Sequence, residues 1–322
     1  MLALTFTDTV ALRDLPPPAL TPGHALIDLR LAGICGTDLA LTRGYKGYQG
    51  VLGHEFVGVV RRCPDAPRWE GQRVTGEINL PCGACERCAA GEGNHCAARR
   101  VLGILGHPGC FAEQLTLPVA NLHAVPAALT DDQAVFTEPL AAALRIFEQL
   151  PLHGDTTVAV IGDGKLGLLV VLALRAREIP CCAVGRHPRK LALVRGPGVR
   201  TCEPADLGAE RFAVVVEATG SPEGLALALE HVRPRGTVVL KSTPHGSVSL
   251  PAAALVVDEV RLVGSRCGPF DAALRAMALG LVDPRPLVDA RYPLAQAPAA
   301  FEHAARRGAL KVLLEGPASP GG

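Results

Sequence analysis

Residues Ala159 to Gly167 read AVIGDGKLG. They close a short apolar, β-branched run, Thr157 to Ile161, and open an apolar stretch of helical length, Leu166 to Ala176. Gly162, Gly164 and Gly167 stand at G-x-G-x-x-G spacing. The first glycine makes a tight turn and the second lets backbone approach a pyrophosphate. The third lets the helix pack close to the strand, and the anion faces the helix N-terminus. The spacing alone is weak evidence. A strand before it and a helix after it make it a dinucleotide site in an α/β sheet rather than a bare turn.

A chain of 322 residues with 48% apolar residues has room for two domains with substantial cores. Its net charge of +1 gives no electrostatic case for nucleic acid or an anionic membrane surface. The first residues, MLALTFTDTVALRDLPPP, show no basic region ahead of an apolar one, so no secretory signal is read there. The longest uncharged apolar run, Leu166 to Leu174, is too short to span a bilayer. These readings make cytoplasm the expected compartment.

Eleven cysteines are many for a reducing compartment unless some bind metal. Cys82, Cys85, Cys88 and Cys96 follow C-x2-C-x2-C-x7-C in a loop of Pro, Gly and polar residues. Four thiolates this close can close a tetrahedral shell around zinc and leave no position for substrate, which is a structural role. Iron also suits four thiolates, and unmetallated thiols are the remaining alternative. A second set lies upstream. Cys35 sits in GICGTD, and His54 and Glu55 follow in GHEFVG. Thiolate, imidazole and carboxylate are all zinc ligand types, and a catalytic zinc keeps one position open. The other six cysteines read as small buried hydrophobes. Cys181 and Cys182, adjacent in a strand, point to opposite faces.

The segments GICGTD, GHEFVGVV, the four-cysteine loop, FAEQLTLPVANLHAVP, TEPLAAA and the glycine loop occur in one order. In that order the chain resembles the medium-chain zinc-dependent alcohol and polyol dehydrogenases, and Thr137-Glu138-Pro139-Leu140 resembles their sorbitol dehydrogenase-like branch. The resemblance implies a β-rich GroES-like catalytic domain, with the structural-zinc loop, over residues 1–150. It implies a Rossmann domain with a doubly wound parallel sheet over 151–267, and a return segment over 268–322 that completes the catalytic domain. It implies one catalytic and one structural zinc, with the catalytic zinc between the two domains. That zinc is held by Cys35, His54 and either Glu55 or Glu138, with Thr37 taking the alcohol proton. It also implies a homodimer or homotetramer and a small alcohol or polyol as substrate. The expected cofactor contacts are Gly162, Gly164, Lys165, Leu166, Gly167, Gly185, Arg186, Arg189, Lys190, Thr219 and Lys311.

Three departures from the family stand out. Ala40 occupies the place of a proton-relay histidine. The chain is short between Gly44 and Leu52, where Tyr45 and Tyr48 are candidates for the substrate pocket. Third, the position of the acid that binds the adenosine ribose holds Gly185. No carboxylate occurs between Glu178 and Glu203, and the segment reads Gly185-Arg186-His187-Pro188-Arg189-Lys190. Arg186 can fork onto a 2′-phosphate, with Arg189 or Lys190 adding charge. The cofactor is therefore expected to be NADP(H) before NAD(H).

Further strands are expected at Ala25 to Leu31, Cys181 to Val184, Val199 to Cys202, Val214 to Glu217, Thr237 to Leu240, Val260 to Gly264 and Lys311 to Leu314. Asp131 and Asp132 are expected to cap a helix from Gln133. The tail, Pro317 to Gly322, reads as unstructured. The activity implied is hydride transfer between an alcohol, or its carbonyl, and a nicotinamide. The rival readings are a non-catalytic NADPH- and zinc-binding redox sensor or partner-binding subunit, and a zinc-free quinone reductase that the intact ligand set disfavours.

Overall fold

Apolar patterning sorts the chain into two kinds of sheet. The computed structural model describes residues 1–242 and 249–317, so the tail beyond Pro317 lies outside the described residues. Up to residue 124 the strands are β1 (Leu2–Phe6), β2 (Val10–Asp14), β3 (His24–Ile34), β4 (Gly50–Val51), β5 (Glu55–Arg62), β6 (Arg73–Gly76), β7 (Asn79–Leu80), β8 (Arg100–Leu102), β9 (Gly106–His107), β10 (Gln114–Pro118) and β11 (Leu122–Ala124). The middle of the chain adds β12 (Val158–Ile161), β13 (Cys181–Val184), β14 (Val199–Cys202), β15 (Phe212–Glu217), β16 (Val232–Leu240) and β17 (Arg261–Gly264). Two more follow, β18 (Val288–Pro293) and β19 (Lys311–Glu315).

One compact unit holds residues 1–138, 274–278 and 288 onward. Its centre is β3, whose first half alternates as a strand with one buried face does: Ala25, Ile27 and Leu29 are buried while their neighbours are half-exposed. One edge of β3 pairs with β5. The other edge is shared, with β10 along His24 to Asp28 and β19 along Leu31 to Ile34. The main path of this seven-stranded sheet runs β11-β6-β5-β3-β19-β18, with β10 joined to β3 off that path. Strand β18 was not among the sequence expectations. It carries a period-two signal, Val288, Ala290 and Tyr292 half-buried between exposed partners, and it pairs parallel to β19.

The second unit holds residues 139–273 and 279–287. Its parallel sheet runs β14-β13-β12-β15-β16-β17. Strands β12 and β13 are buried at every position, as expected for a parallel sheet covered on both faces. The order reverses at β12, the switch point outside which ligands bind in such sheets, and the glycine loop follows that strand.

One local expectation is corrected. Thr130, not Asp131 or Asp132, caps the helix Asp131–Ala134, in a capping box with Gln133. The two acids serve the first turn and hold arginines instead: Asp131 binds Arg30 and Arg73, and Asp132 binds Arg291. Among the described residues no helix is long and apolar enough to cross a membrane.

Candidate active site

Cys35 directly follows β3 and serves as N-cap of the helix Gly36–Leu41. Its backbone N–H donates to Asp38 Oδ2 at 2.8 Å, and Asp38 Oδ1 lies 3.1 Å from His54 Nδ1. One buried carboxylate thus fixes both the cysteine backbone and the imidazole, and leaves His54 Nε2 to turn elsewhere. His54 and Glu55 lead into β5, which lies beside β3, so strand pairing brings the three donors together. Ligand atoms of Cys35, His54 and Glu55 all lie within 4.8 Å of one another and could hold a metal ion. His54 and Glu55 are buried. Thr37 Oγ1 is 3.8 Å from Cys35 Sγ, so the hydroxyl borders the same site.

Glu55 is the informative member. Its Oε2 accepts from the Lys311 ammonium, and both side chains are sealed from solvent. Its Oε1 is buried with no hydrogen-bond partner among the described residues. A buried carboxylate oxygen without a partner is costly, and a cation at this site would satisfy it. The donor set therefore fits zinc. Burial opposes a charged His54, yet Asp38 and Cys35 outweigh it and raise the imidazole pKa well above the usual value. The same negative potential favours any cation. Gly33 is required here: a side chain at that position would run into the Glu55 carboxylate and lie 3.2 Å from Lys311 Cδ.

The structure gives the surroundings of further candidates. Lys311, grouped with the cofactor contacts, is 1% exposed and its ammonium is bonded to Glu55, 5.5 Å above the Phe136 ring. Burial lowers its pKa, but Glu55, Cys35 and Glu138 more than reverse that, so it stays charged. Glu138, half-buried at the start of the helix Thr137–Gln149, is not one of the three residues within that 4.8 Å cluster. Tyr48, a candidate for the pocket, is core: its hydroxyl donates to the Val51 carbonyl at 2.7 Å, with the His107 carbonyl 3.1 Å away. Tyr45 is half-buried, with the Lys46 ammonium over its ring.

The four loop cysteines also converge, all sulfurs within 4.8 Å of one another. Cys85 Sγ is 3.5 Å from that of Cys88 and 3.7 Å from that of Cys96. The Ala84 backbone N–H, with help from Cys96, lowers the Cys82 thiol to about 6, whereas burial and Cys85 push Cys88 to about 11. Four unbridged thiols in a loop with little regular structure fit a tetrahedral metal better than they fit a core.

At the glycine loop, Gly162 has φ +120°, and a side chain there would press on Ala218 and the Thr219 amide at the end of β15. Gly167 packs against the Gly162 carbonyl with no room for a Cβ, while a Cβ on Gly164 would meet only open space. Gly164 is the N-cap of the helix Lys165–Ala176, with no side chain capping it. A helix N-terminus without a side-chain cap, and open space in front of Gly164, fit a pyrophosphate. Glu217, which sequence reasoning passed over, organises the neighbouring strand end. This buried carboxylate accepts the Thr219 N–H at 2.6 Å, the Thr219 hydroxyl at 2.5 Å, the Gly220 N–H at 3.2 Å and the Ser242 hydroxyl. A strand ending in a charged residue followed by Ala-Thr-Gly-Ser was its signal.

The segment after β13 is not free of carboxylate, contrary to the reading of that segment alone. Asp163, from inside the glycine loop, accepts the His187 backbone N–H at 2.7 Å. Lys190 is 4.0 Å from the same carboxylate, whereas Arg186 and Arg189 are exposed. Arg186 also helps to lower the pKa of Glu223, after that residue's own backbone amide and Ser221.

The alcohol dehydrogenase GroES-like domain family matches residues 21–127, and the zinc-binding dehydrogenase family matches residues 166–282. An L-threonine 3-dehydrogenase of Streptomyces avermitilis is 32% identical over 330 aligned positions, covering 94% of this chain and 95% of its own. Among solved structures, a zinc-binding dehydrogenase from Sinorhizobium meliloti bound to NADP is 28% identical, with a TM-score of 0.88 over 98% of both chains. The alcohol dehydrogenase TADH from Thermus sp. ATN1 is 31% identical, with a TM-score of 0.86 over 98% of this chain and 100% of its own. Two family matches over most of the chain, and a likeness that runs its full length, place it in the medium-chain zinc-dependent alcohol and polyol dehydrogenases, which are nicotinamide-dependent oxidoreductases.

Proposed function

We propose that the chain oxidises a small secondary alcohol or polyol, or reduces its carbonyl, with NADP(H) preferred to NAD(H), through a zinc held by Cys35, His54 and Glu55. The observation that carries this is the buried, unpartnered Glu55 Oε1 beside a thiol and an imidazole on paired strands. Zinc there would supply a Lewis acid that favours the deprotonated alcohol, and the nicotinamide would supply hydride chemistry. The chain's own residues do the rest. Asp38 holds His54 in one orientation and Lys311 offsets the Glu55 charge. Thr37, next to Cys35, is placed to take the alcohol proton. Glu138 is read as a second carboxylate serving the same site. The loop cysteines are read as the seat of a structural zinc that folds residues 82–96.

The names of relatives, L-threonine 3-dehydrogenase and a probable D-xylulose reductase, support a secondary alcohol flanked by a polar carbon. The preference for NADP(H) rests on exposed Arg186 and Arg189 where the ribose acid is absent. Eleven unbridged cysteines support a reducing cytoplasm, and family habit supports a homodimer or homotetramer. The test is a panel of diols, polyols, secondary alcohols and L-threonine with each nicotinamide. Turnover with NADP⁺ above that with NAD⁺ is expected, and Arg186→Ala should raise KM for NADP⁺ about tenfold while sparing NAD⁺. No turnover with either nicotinamide, despite bound zinc and cofactor, would replace this reading with that of a redox sensor.

A further inference from the structure

The acid that would end the second strand of the dinucleotide sheet is not simply missing. Its space is filled from elsewhere. A Cβ placed on Gly185 would lie 2.5 Å from Asp163 Cβ and 2.6 Å from Asp163 Oδ2. No side chain larger than glycine's fits at 185 while Asp163 is in place.

The Asp163 carboxylate reaches from the loop after β12 to the turn after β13. Its Oδ2 accepts the His187 backbone N–H at 2.7 Å and faces the His187 ring Nδ1 at 2.9 Å. That nitrogen carries its proton toward Asp163, because an ionised carboxylate only accepts. Asp163 Oδ1 lies 4.0 Å from the Lys190 ammonium, and the side chains of Asp163 and Lys190 are 12% and 13% exposed. The carboxylate is thus occupied by protein donors, and its charge is matched by a lysine. It is not turned outward for a ribose hydroxyl. Arg186 and Arg189 remain exposed on the same turn.

We propose that Asp163 is the positioning residue behind the cofactor preference. It latches the Gly185–Lys190 turn through His187 and ties Lys190 inward, so that Arg186 and Arg189 take the 2′-phosphate. This rests on the NADP(H) reading above. A glycine-led turn without such a latch would have to order its backbone and two long guanidinium side chains at the moment of binding, and that ordering opposes affinity. Holding the turn in advance lowers that cost only for a ligand that uses the arginines. The latch therefore acts on the ligand that bears a 2′-phosphate and leaves the counterpart without it alone.

The test is calorimetric titration of the zinc-loaded full-length protein with adenosine 2′,5′-bisphosphate and with AMP. The wild-type protein judges the NADP(H) reading by itself: tighter binding of AMP overturns that reading and the latch with it. Given a wild-type preference for the bisphosphate, Asp163→Ala should weaken the bisphosphate about tenfold and AMP by less than about twofold, the usual worth of a single charge-assisted hydrogen bond. Asp163→Asn keeps an oxygen for the His187 N–H and should retain most of the preference. If both variants bind the bisphosphate more tightly than wild type, Asp163 is an electrostatic barrier and the latch is wrong. If Asp163→Ala weakens both ligands equally, the residue merely supports the fold, and the latch is equally wrong. Either result leaves the NADP(H) reading standing.

Discussion

Glu55 binds Lys311 with one oxygen and, in the site proposed above, a metal with the other, and substitutions can separate the two duties. Lys311→Met removes the cation and leaves a buried carboxylate. Because both side chains are sealed from solvent, the loss should be about 3–5 kcal/mol, read as a fall in the denaturation midpoint. A loss below about 1 kcal/mol, the range of exposed pairs, would show that water reaches the pair. Glu55→Gln should cost the protein its catalytic zinc, whereas Glu138→Gln should keep two zinc atoms per chain and lose turnover. Zinc missing from the Glu138 variant but present in the Glu55 variant would transfer the third ligand to Glu138. Thr37→Val should keep zinc and cofactor and lose about 10²–10⁴-fold in turnover, the usual worth of acid–base help. A valine variant at nearly full rate would remove Thr37 from the proton step. None of these pairings could be read from single residues. Glu55 and Lys311 stand at opposite ends of the chain, and Asp163 meets Gly185 only because β12 and β13 are neighbours.

Elements were legible where a signal is local, and illegible where a partner decides. Strand β13 falls where a short apolar run lies between turn residues, and the glycine loop announces its own strand and helix. Strand β18 carries charges on its outer face and ends in a proline, so its six residues read as a loop until β19 is laid beside them. Cys182 and Cys202 illustrate the same limit. Each reads as a small hydrophobe, yet parallel pairing of β13 with β14 brings their sulfurs to 3.2 Å. The cysteine loop is the opposite case, because its spacing alone brings all four thiols into reach of one ion. Only short elements, Glu86–Ala89 and Gly93–His95, lie between its ligands, so little apolar burial holds it. Cys85→Ser should therefore remove one zinc atom per chain and lower thermal stability, since structural zinc contributes folding energy directly. An unchanged metal count in the serine variant would return these thiols to an unmetallated role.

At the scale of the whole molecule, the two units differ in how the chain supplies them. The parallel sheet comes from one run of sequence, β12 to β17, while the mixed sheet around β3 takes strands from both sides of that run. Half of one edge of β3 stays unpaired until β19 arrives, when Leu313 pairs with Gly33 and Val312 with Ile34. That difference sets an order of assembly. As the chain is synthesised, the parallel sheet can close while the N-terminal sheet still waits for its last strand, and closing so long a loop is slow. A chain ending at Arg306 should accordingly protect β12 to β16 from amide hydrogen exchange while Leu31 to Ile34 exchange freely. Protection of those four amides without β19 would refute the order. Lys311 travels on the late strand, so the charge that balances Glu55 is delivered 256 residues after the carboxylate itself. Until β19 pairs, Glu55 lacks its buried cation, so the arrival of that strand beside β3 completes the charge balance of the proposed metal site.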